Sequence, residues 1–432
     1  MELNFIKTFI EKLKDLVFSN TEEGTSFFKT CFNRLNALIG IGLITIPYTL
    51  TQAGWLSLAF RIILAMVFCY TGLLLQRCVD SNSSIKTYSD ISSYALGRRG
   101  RIFISIFQFV EVYLVPTGFL ILEGNNLHKL FPHVGLKAHG HTVEGKKFFI
   151  IISGLVILPT IWLKDFSMLS YVSATRLLSS MIIIFSILWV SVADGVGFSN
   201  KGKIFDIGGV PITLSLYAIC FGAHPIFPNL FSSMKDKNRF SQVIDHHYIS
   251  IAVIGYLMLG ENVQSQVTLS LPTRKVSCQI AIYTILVTPI TKFALIFSPI
   301  PVAIENRLPR KYKTKFISIL LRTGLLISTL VVALGFPFFT LLVALIGSIL
   351  VVIVSILLPC SCYLKISGAY RKWTFEAVMI WFIIFFWFSG RIGGYIRIHK
   401  GYSQTFMRNV LAVACNSFVQ NNWTALAYVA AI

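Results

Sequence analysis

The chain has 432 residues, of which 55% are hydrophobic and only 13% charged. A soluble domain carries roughly twice that charged share, and a mean hydropathy of +0.72 excludes a water-soluble globule. The net charge of +20 sits in short loops between apolar runs, with no long basic tail or aromatic-interleaved patch. That pattern suits topology control and anionic head groups and excludes nucleic acid as a partner.

Residues 1–25 form a polar head. Leu3, Ile6, Ile10, Leu13 and Val17 recur there at helical spacing among Lys7, Lys12 and Lys14, as in an interfacial or a solvated helix. A signal peptide's n-region, h-region and cleavage site are absent, which leaves the first span as insertion signal. Eleven apolar segments follow, at 27–50, 55–76, 101–122, 148–163, 170–193, 207–230, 247–260, 279–303, 316–336, 338–360 and 375–390. Most are long enough to cross a hydrocarbon core about 30 Å thick as helix. The expected architecture is an all-α polytopic membrane protein, with 26–390 as the transmembrane domain and 391–432 as an atypical tail. Between the second and third segments, Tyr88 to Gly97 reads as a short surface helix with a glycine cap.

With the N-terminus in the cytoplasm, the inside loops hold 18 Lys and Arg and the outside loops 8. This is the expected asymmetry. The seventh segment is abnormal. From Tyr248 to Leu259 its apolar run covers only about 18 Å as helix, short of the bilayer core.

The first and sixth segments carry the chemistry. Asn36 to Pro47 contains Gly40, Gly42 and Pro47 in mid-span, and Tyr217 to Pro228 contains Gly222, His224 and Pro225. Glycine and proline weaken or remove backbone hydrogen bonds, and irregular backbone survives at membrane depth only inside protein or along a cavity. Segments one and six stand five spans apart, so they hold matching positions in two five-helix halves of opposite topology. That is the inverted-repeat plan of many secondary transporters, with the substrate held where the broken helices meet. A half-helix N-terminus attracts a carboxylate and free carbonyls accept from an ammonium, so an amino acid zwitterion suits the site. The candidate substrate-binding residues are Asn36, Ile39, Gly40, Gly42 and Thr45 with Tyr217, Cys220 and Gly222.

These stretches resemble the amino acid/auxin permease family, in its plant and fungal vacuolar amino acid transporter branch, related to vesicular inhibitory amino acid carriers. The resemblance rests on Asn36 to Tyr48, Gly54-Trp55, Glu111 to Tyr113, Ile121 to Leu127, Ser215 to Asn229, Ser232 to Lys237, Gly255 to Leu269 and Lys292 to Ala294. It implies a LeuT-like 5+5 inverted-repeat bundle of about eleven transmembrane helices with helices 1 and 6 broken. It also implies proton-driven amino acid antiport by alternating access, usually at the vacuolar membrane, with the plasma membrane as the alternative. The chain departs from the pattern in its short seventh segment, in Gly118 where relatives often carry an acid, and in its tail. The competing expectation is therefore a transport-defective or regulatory membrane protein.

Glu111 lies halfway along the third segment, where an ionisable group is costly and usually functional. His224 lies inside the sixth-segment break, and histidine titrates near neutrality. Both are candidate proton-coupling groups, each with a purely structural alternative. Glu123, near the membrane boundary, reads as an anchoring or packing residue. Thr288 and Thr291 flank Pro289 beside Lys292. In sodium-coupled members of the fold, hydroxyls of this helix join first-helix carbonyls around the ion, so sodium is the alternative coupling ion. The expected partners are amino acids, protons and membrane lipids. No GxSxG, Walker loop or metal cluster occurs, so the expectation is a non-enzyme without cofactor or metal.

Overall fold

The computed structural model describes residues 41–82, 85, 87–138, 141–162, 182–183, 185–186, 189, 202–222, 224–226, 263–271, 273, 275–312, 314–368 and 376–384. The chain divides into two compact units, Met1–Val378 and Met379–Ile432. Of the second, only 379–384 is described, and it is helical. Everything below concerns the first.

Helix α1 (Ile41–Ala53) leads through a turn at Gly54 into α2 (Ser57–Asp80) and then α3 (Tyr88–Leu130). A small antiparallel hairpin follows, β1 (Leu136–Ala138) with β2 (His141–Val143), then α4 (Gly145–Trp162). That hairpin is the sole β-structure among the described residues. Further on lie α5 (Val210–Phe221), the short α6 (Val267–Ser270), α7 (Val276–Phe297), α8 (Pro299–Arg307) and α9 (Lys315–Gly335). The last helical run is α10 (Phe339–Leu345), two π-helical turns at Ile346–Val351 and Ile353–Leu357, and α11 (Leu358–Ser367).

Six of these helical runs are long and apolar enough to cross a membrane. Their exposed faces carry large apolar side chains, as with Ile62, Ile63 and Met66 on α2 and Leu320 and Val331 on α9. In lipid such faces need no protein partner, so burial goes to the helix seams, where van der Waals packing and interhelical hydrogen bonds hold the bundle. One seam joins Leu75 and Cys78 of α2 and Tyr88, Ile91 and Ile104 of α3 to Val354, Leu358 and Cys362.

Local chemistry sets the helix ends. Thr87 and Asp90 form a capping box at the start of α3, and Thr314 caps α9 through the Ile317 amide at 3.3 Å. The surface helix expected to end at Gly97 does stop there, at φ 69°. The chain re-enters helix at once, so α3 is one kinked element of 43 residues. Glycine tolerates this left-handed φ without the Cβ penalty.

The described helices follow the expected segments with modest extensions: 101–122 continues to Leu130, and 338–360 continues to Ser367. Most of 170–193 and all of 247–260, including the short seventh segment, lie outside the described residues.

Candidate functional site

Helices α1 and α5, the described halves of the first and sixth segments, pack against each other. Helix α1 is described from Ile41 and runs through Pro47; Asn36, Ile39 and Gly40 lie outside the described residues. Gly42 lies within it. Thr45 faces inward, fully buried. Across the seam, the Thr213 hydroxyl donates to the Thr49 carbonyl at 3.1 Å, and Ser57 Oγ stands 3.3 Å from the Tyr217 hydroxyl. Tyr217 and Cys220 are buried, with Cys220 Sγ 3.1 Å from the Leu216 carbonyl.

Helix α5 stops at Phe221. Gly222 takes φ −73° and ψ 62°, outside the helical region, and a single 3₁₀ turn follows at His224–Ile226. The break expected in the sixth segment is therefore present. Close backbone approach fixes its position. A Cβ on Gly347, in the first π-helical turn, would fall 1.9 Å from the Ser215 carbonyl oxygen. One on Gly222 would fall 2.8 Å from a Val351 methyl. At the other end of α5, a Cβ on Gly209 would fall 1.9 Å from the Gln52 carbonyl oxygen. Glycine thus lets α5 sit directly on α1 at one end and on the π-helical segment at the other. π-Helical turns often mark functional positions in helices.

His224 is fully buried beyond the break. Its Nε2 lies 2.9 Å from Thr71 Oγ1 and 3.1 Å from the Phe68 carbonyl, both on α2. Its ring meets Phe68 edge-on at 5.6 Å. The imidazole therefore ties the broken helix to α2.

Arg61 was not among the residues expected from sequence. It is 1% exposed, on α2, one turn beyond Ser57. Its guanidinium carbon lies 5.0 Å from the Phe221 ring centroid and 5.5 Å from that of Tyr217, within cation–π reach. The available signal was a single cation within an otherwise apolar run, since intramembrane charge marks function by default.

The other expected residues are on α3 and α7. Glu111 is half-buried on α3, and no described hydrogen bond or ion pair joins it to α1 or α5. Thr288 and Thr291 occupy α7 on either side of Pro289. Among the described residues no cluster of His, Cys, Asp or Glu could hold a metal ion.

A helical bundle of membrane-spanning length, with one helix interrupted beside a partner from the first segment, defines an integral multi-pass protein of the secondary-transporter class. Comparison with known proteins agrees. The solved structure of MhsT in complex with L-phenylalanine matches at a TM-score of 0.55 and 11% identity, covering 85% of this chain and 99% of MhsT; the fold is LeuT-like. The profile of the transmembrane amino acid transporter protein family matches residues 23–398. Amino acid transporter AVT1I of Arabidopsis thaliana is 46% identical over 383 residues, covering 87% of this chain and 95% of that protein. Amino acid transporter AVT1J of the same plant is 46% identical over 370 residues, covering 84% and 88%. The chain belongs to the transmembrane amino acid transporter family, which is a transporter family and not an enzyme family.

Proposed function

We propose that this protein carries amino acids across a membrane by alternating access, exchanging them for protons. Binding would take place where α1 and α5 meet, at Thr45, Tyr217, Cys220 and Gly222, with Asn36, Ile39, Gly40 and Gly42 completing the site. The observation that carries the reading is the interruption of α5 at Gly222, beside α1 and sealed by His224. Backbone released from helix at that depth is tolerated inside protein or along a cavity, and a zwitterion presents both a carboxylate and an ammonium to such freed groups. The Arabidopsis relatives are named as amino acid transporters, which supports the substrate class.

Proton coupling is assigned to Glu111 and His224, the ionisable groups that the sequence places in the third span and in the break. The vacuolar membrane is the proposed location, with the N-terminus cytoplasmic, on the strength of the loop charge asymmetry and the branch resembled. Reconstituted into liposomes, the full chain should accumulate radiolabelled L-amino acids when a pH gradient is imposed. Uptake unchanged after the gradient is collapsed with a proton–potassium ionophore overturns the proton-coupled reading. Uptake that needs sodium at uniform pH assigns the coupling to sodium instead.

A further inference from the structure

We propose that Glu123 is a second proton-binding carboxyl, reached only when the segment 263–271 lifts from α3; this rests on the proton-coupled reading above. Glu123 is 1% exposed, and its Oε1 is enclosed without a hydrogen-bond partner among the described residues. Burying a carboxyl in this way is costly, and buried polar groups are ordinarily satisfied. An exception inside a membrane helix calls for a function.

Beside it on α3 lies a clasp. One turn further along α3, Asn126 donates to the Gln266 side-chain carbonyl at 2.7 Å and accepts from the Thr268 hydroxyl at 2.7 Å. Another turn on, the Lys129 ammonium donates to the Leu269 carbonyl. Glu123, Asn126 and Lys129 recur every three residues, so they share one face of α3. On a second side, Gly124 lets α4 close in: a Cβ there would fall 2.5 Å from Ile150 and 2.9 Å from the Lys146 carbonyl oxygen. The Gln266 amide nitrogen is likewise enclosed and without a partner among the described residues. Two unsatisfied buried polar groups thus flank Asn126, one an acceptor and one a donor.

The clasp also touches the transport site, because α6, which carries Thr268 and Leu269, packs on α1 as well as on α3. Lifting 263–271 would therefore open the α1 side and expose Glu123 together. Water from that compartment could then deliver one proton to the carboxylate, giving a neutral carboxyl, or remove it. With the clasp shut, no exchange occurs. The other titratable groups at this end of α3, α4 and α7 are His128 and Lys129 on α3, Glu144, Lys146 and Lys147 at the start of α4, and Lys275 and Cys278 at the start of α7; α1, on which α6 packs, carries Tyr48. Segment 263–271 carries none. Glu144 is exposed, which leaves Glu123 as the buried carboxyl at this end among the described residues.

The experiment uses the full chain in proteoliposomes and the radiolabelled L-amino acid that wild type accumulates best. E123Q keeps the shape and cannot take up a proton. It should lose accumulation driven by a pH gradient and keep counterflow at uniform pH. Accumulation equal to wild type overturns the inference. Counterflow lost along with accumulation turns the decision to wild-type protein and a hydrophobic carbodiimide, which modifies protonated carboxyls. Glu123 should then be modified at acidic pH, and to a different extent when substrate is added; Glu123 left unmodified overturns the inference. A wild-type chain indifferent to the gradient sinks the proton-coupled reading itself, a result distinct from either of these.

Discussion

Thr71 and His224 meet at 2.9 Å, although 153 positions separate them. The contact pins the chain just past the Gly222 break to the middle of α2, where the Phe68 carbonyl also lies within 3.1 Å of the same imidazole nitrogen. Thr71→Val removes one of these two partners and keeps the volume. Its cost should be about 1 kcal/mol, the net worth of one hydrogen bond, read as a modest drop in thermal midpoint and slower uptake. His224→Ala also empties a fully buried ring position against Phe68 and should cost roughly 2–4 kcal/mol. The order is testable by thermal unfolding in detergent beside uptake in proteoliposomes. A Thr71→Val variant as damaged as His224→Ala would show that the hydroxyl does more than hold the ring.

The break itself was legible in the sequence. Gly222 and Pro225 sit within four positions of an apolar run, with His224 between them, and glycine and proline both weaken a helix interior. The spans were legible too, because hydropathy over about 20 residues is a strong signal. Contacts between distant positions were not. Nothing near Gly347 announces the Ser215 carbonyl against it, and nothing near Gly124 announces α4. From the end of its apolar run Glu123 reads as a boundary residue, but α3 continues to Leu130 and Glu123 is 1% exposed within the packed bundle. Arg61 was hidden for a related reason. One cation barely alters the mean hydropathy of a span, and the aromatic rings that receive it lie on another helix.

The close approach at Gly347 makes a sharp prediction about α5. Gly347→Ala would place a methyl 1.9 Å from the backbone oxygen of Ser215. Backbone cannot swing aside as a side chain can, so α5 must shift, at a cost of roughly 1–3 kcal/mol or more. Gly324→Ala is the control. It sits in α9 with nothing within 4 Å of the added atom, and alanine is favoured over glycine in a helix by about 1 kcal/mol. The first variant should lose transport and thermal stability; the second should be neutral or slightly more stable. Equal behaviour of the two would mean that the seam between α5 and the π-helical turns is not tight.

Gly54 and Gly97 share a left-handed φ, at 76° and 69°, but differ in surroundings. Around Gly97 there is open space, whereas a Cβ on Gly54 would meet the Lys203 and Ile204 carbonyl oxygens at 2.7 Å. Those carbonyls also accept from the Trp55 and Leu56 amides, at 3.1 and 3.0 Å. Gly97, at ψ −164°, lies in a region open essentially to glycine alone, so Gly97→Ala should cost the conformational penalty of about 1–3 kcal/mol and no more. Gly54→Ala should cost clearly more, because it also parts the α1–α2 turn from the irregular segment 203–206 that leads to α5. Unfolding midpoints of the two variants decide it, and a Gly97→Ala loss equal to that of Gly54→Ala would refute the ranking.

Two ion pairs separate burial from mere proximity. Arg322 and Glu305 lie 3.0 Å apart with side chains 4% and 19% exposed. Ser318 also donates to Glu305 at 2.6 Å, and Arg322 donates to the Ile161 carbonyl at 2.8 Å. The pair thus ties α8 and α9 to the end of α4, and removing one partner leaves a desolvated charge behind. Arg77 and Glu376 are also paired, with Tyr363 bonded to both, but their side chains are 52% and 36% exposed. Water can solvate whichever partner survives there. Glu305→Gln should accordingly destabilise by about 3 kcal/mol, and Glu376→Gln by less than about 1 kcal/mol. Added salt should narrow the small effect and leave the large one, because screening acts on exposed pairs far more than on enclosed ones. Thermal midpoints of both variants at low and high ionic strength check this, and a Glu376→Gln loss matching Glu305→Gln would mean that the Arg77 network is as enclosed in lipid as the Arg322 pair is in protein.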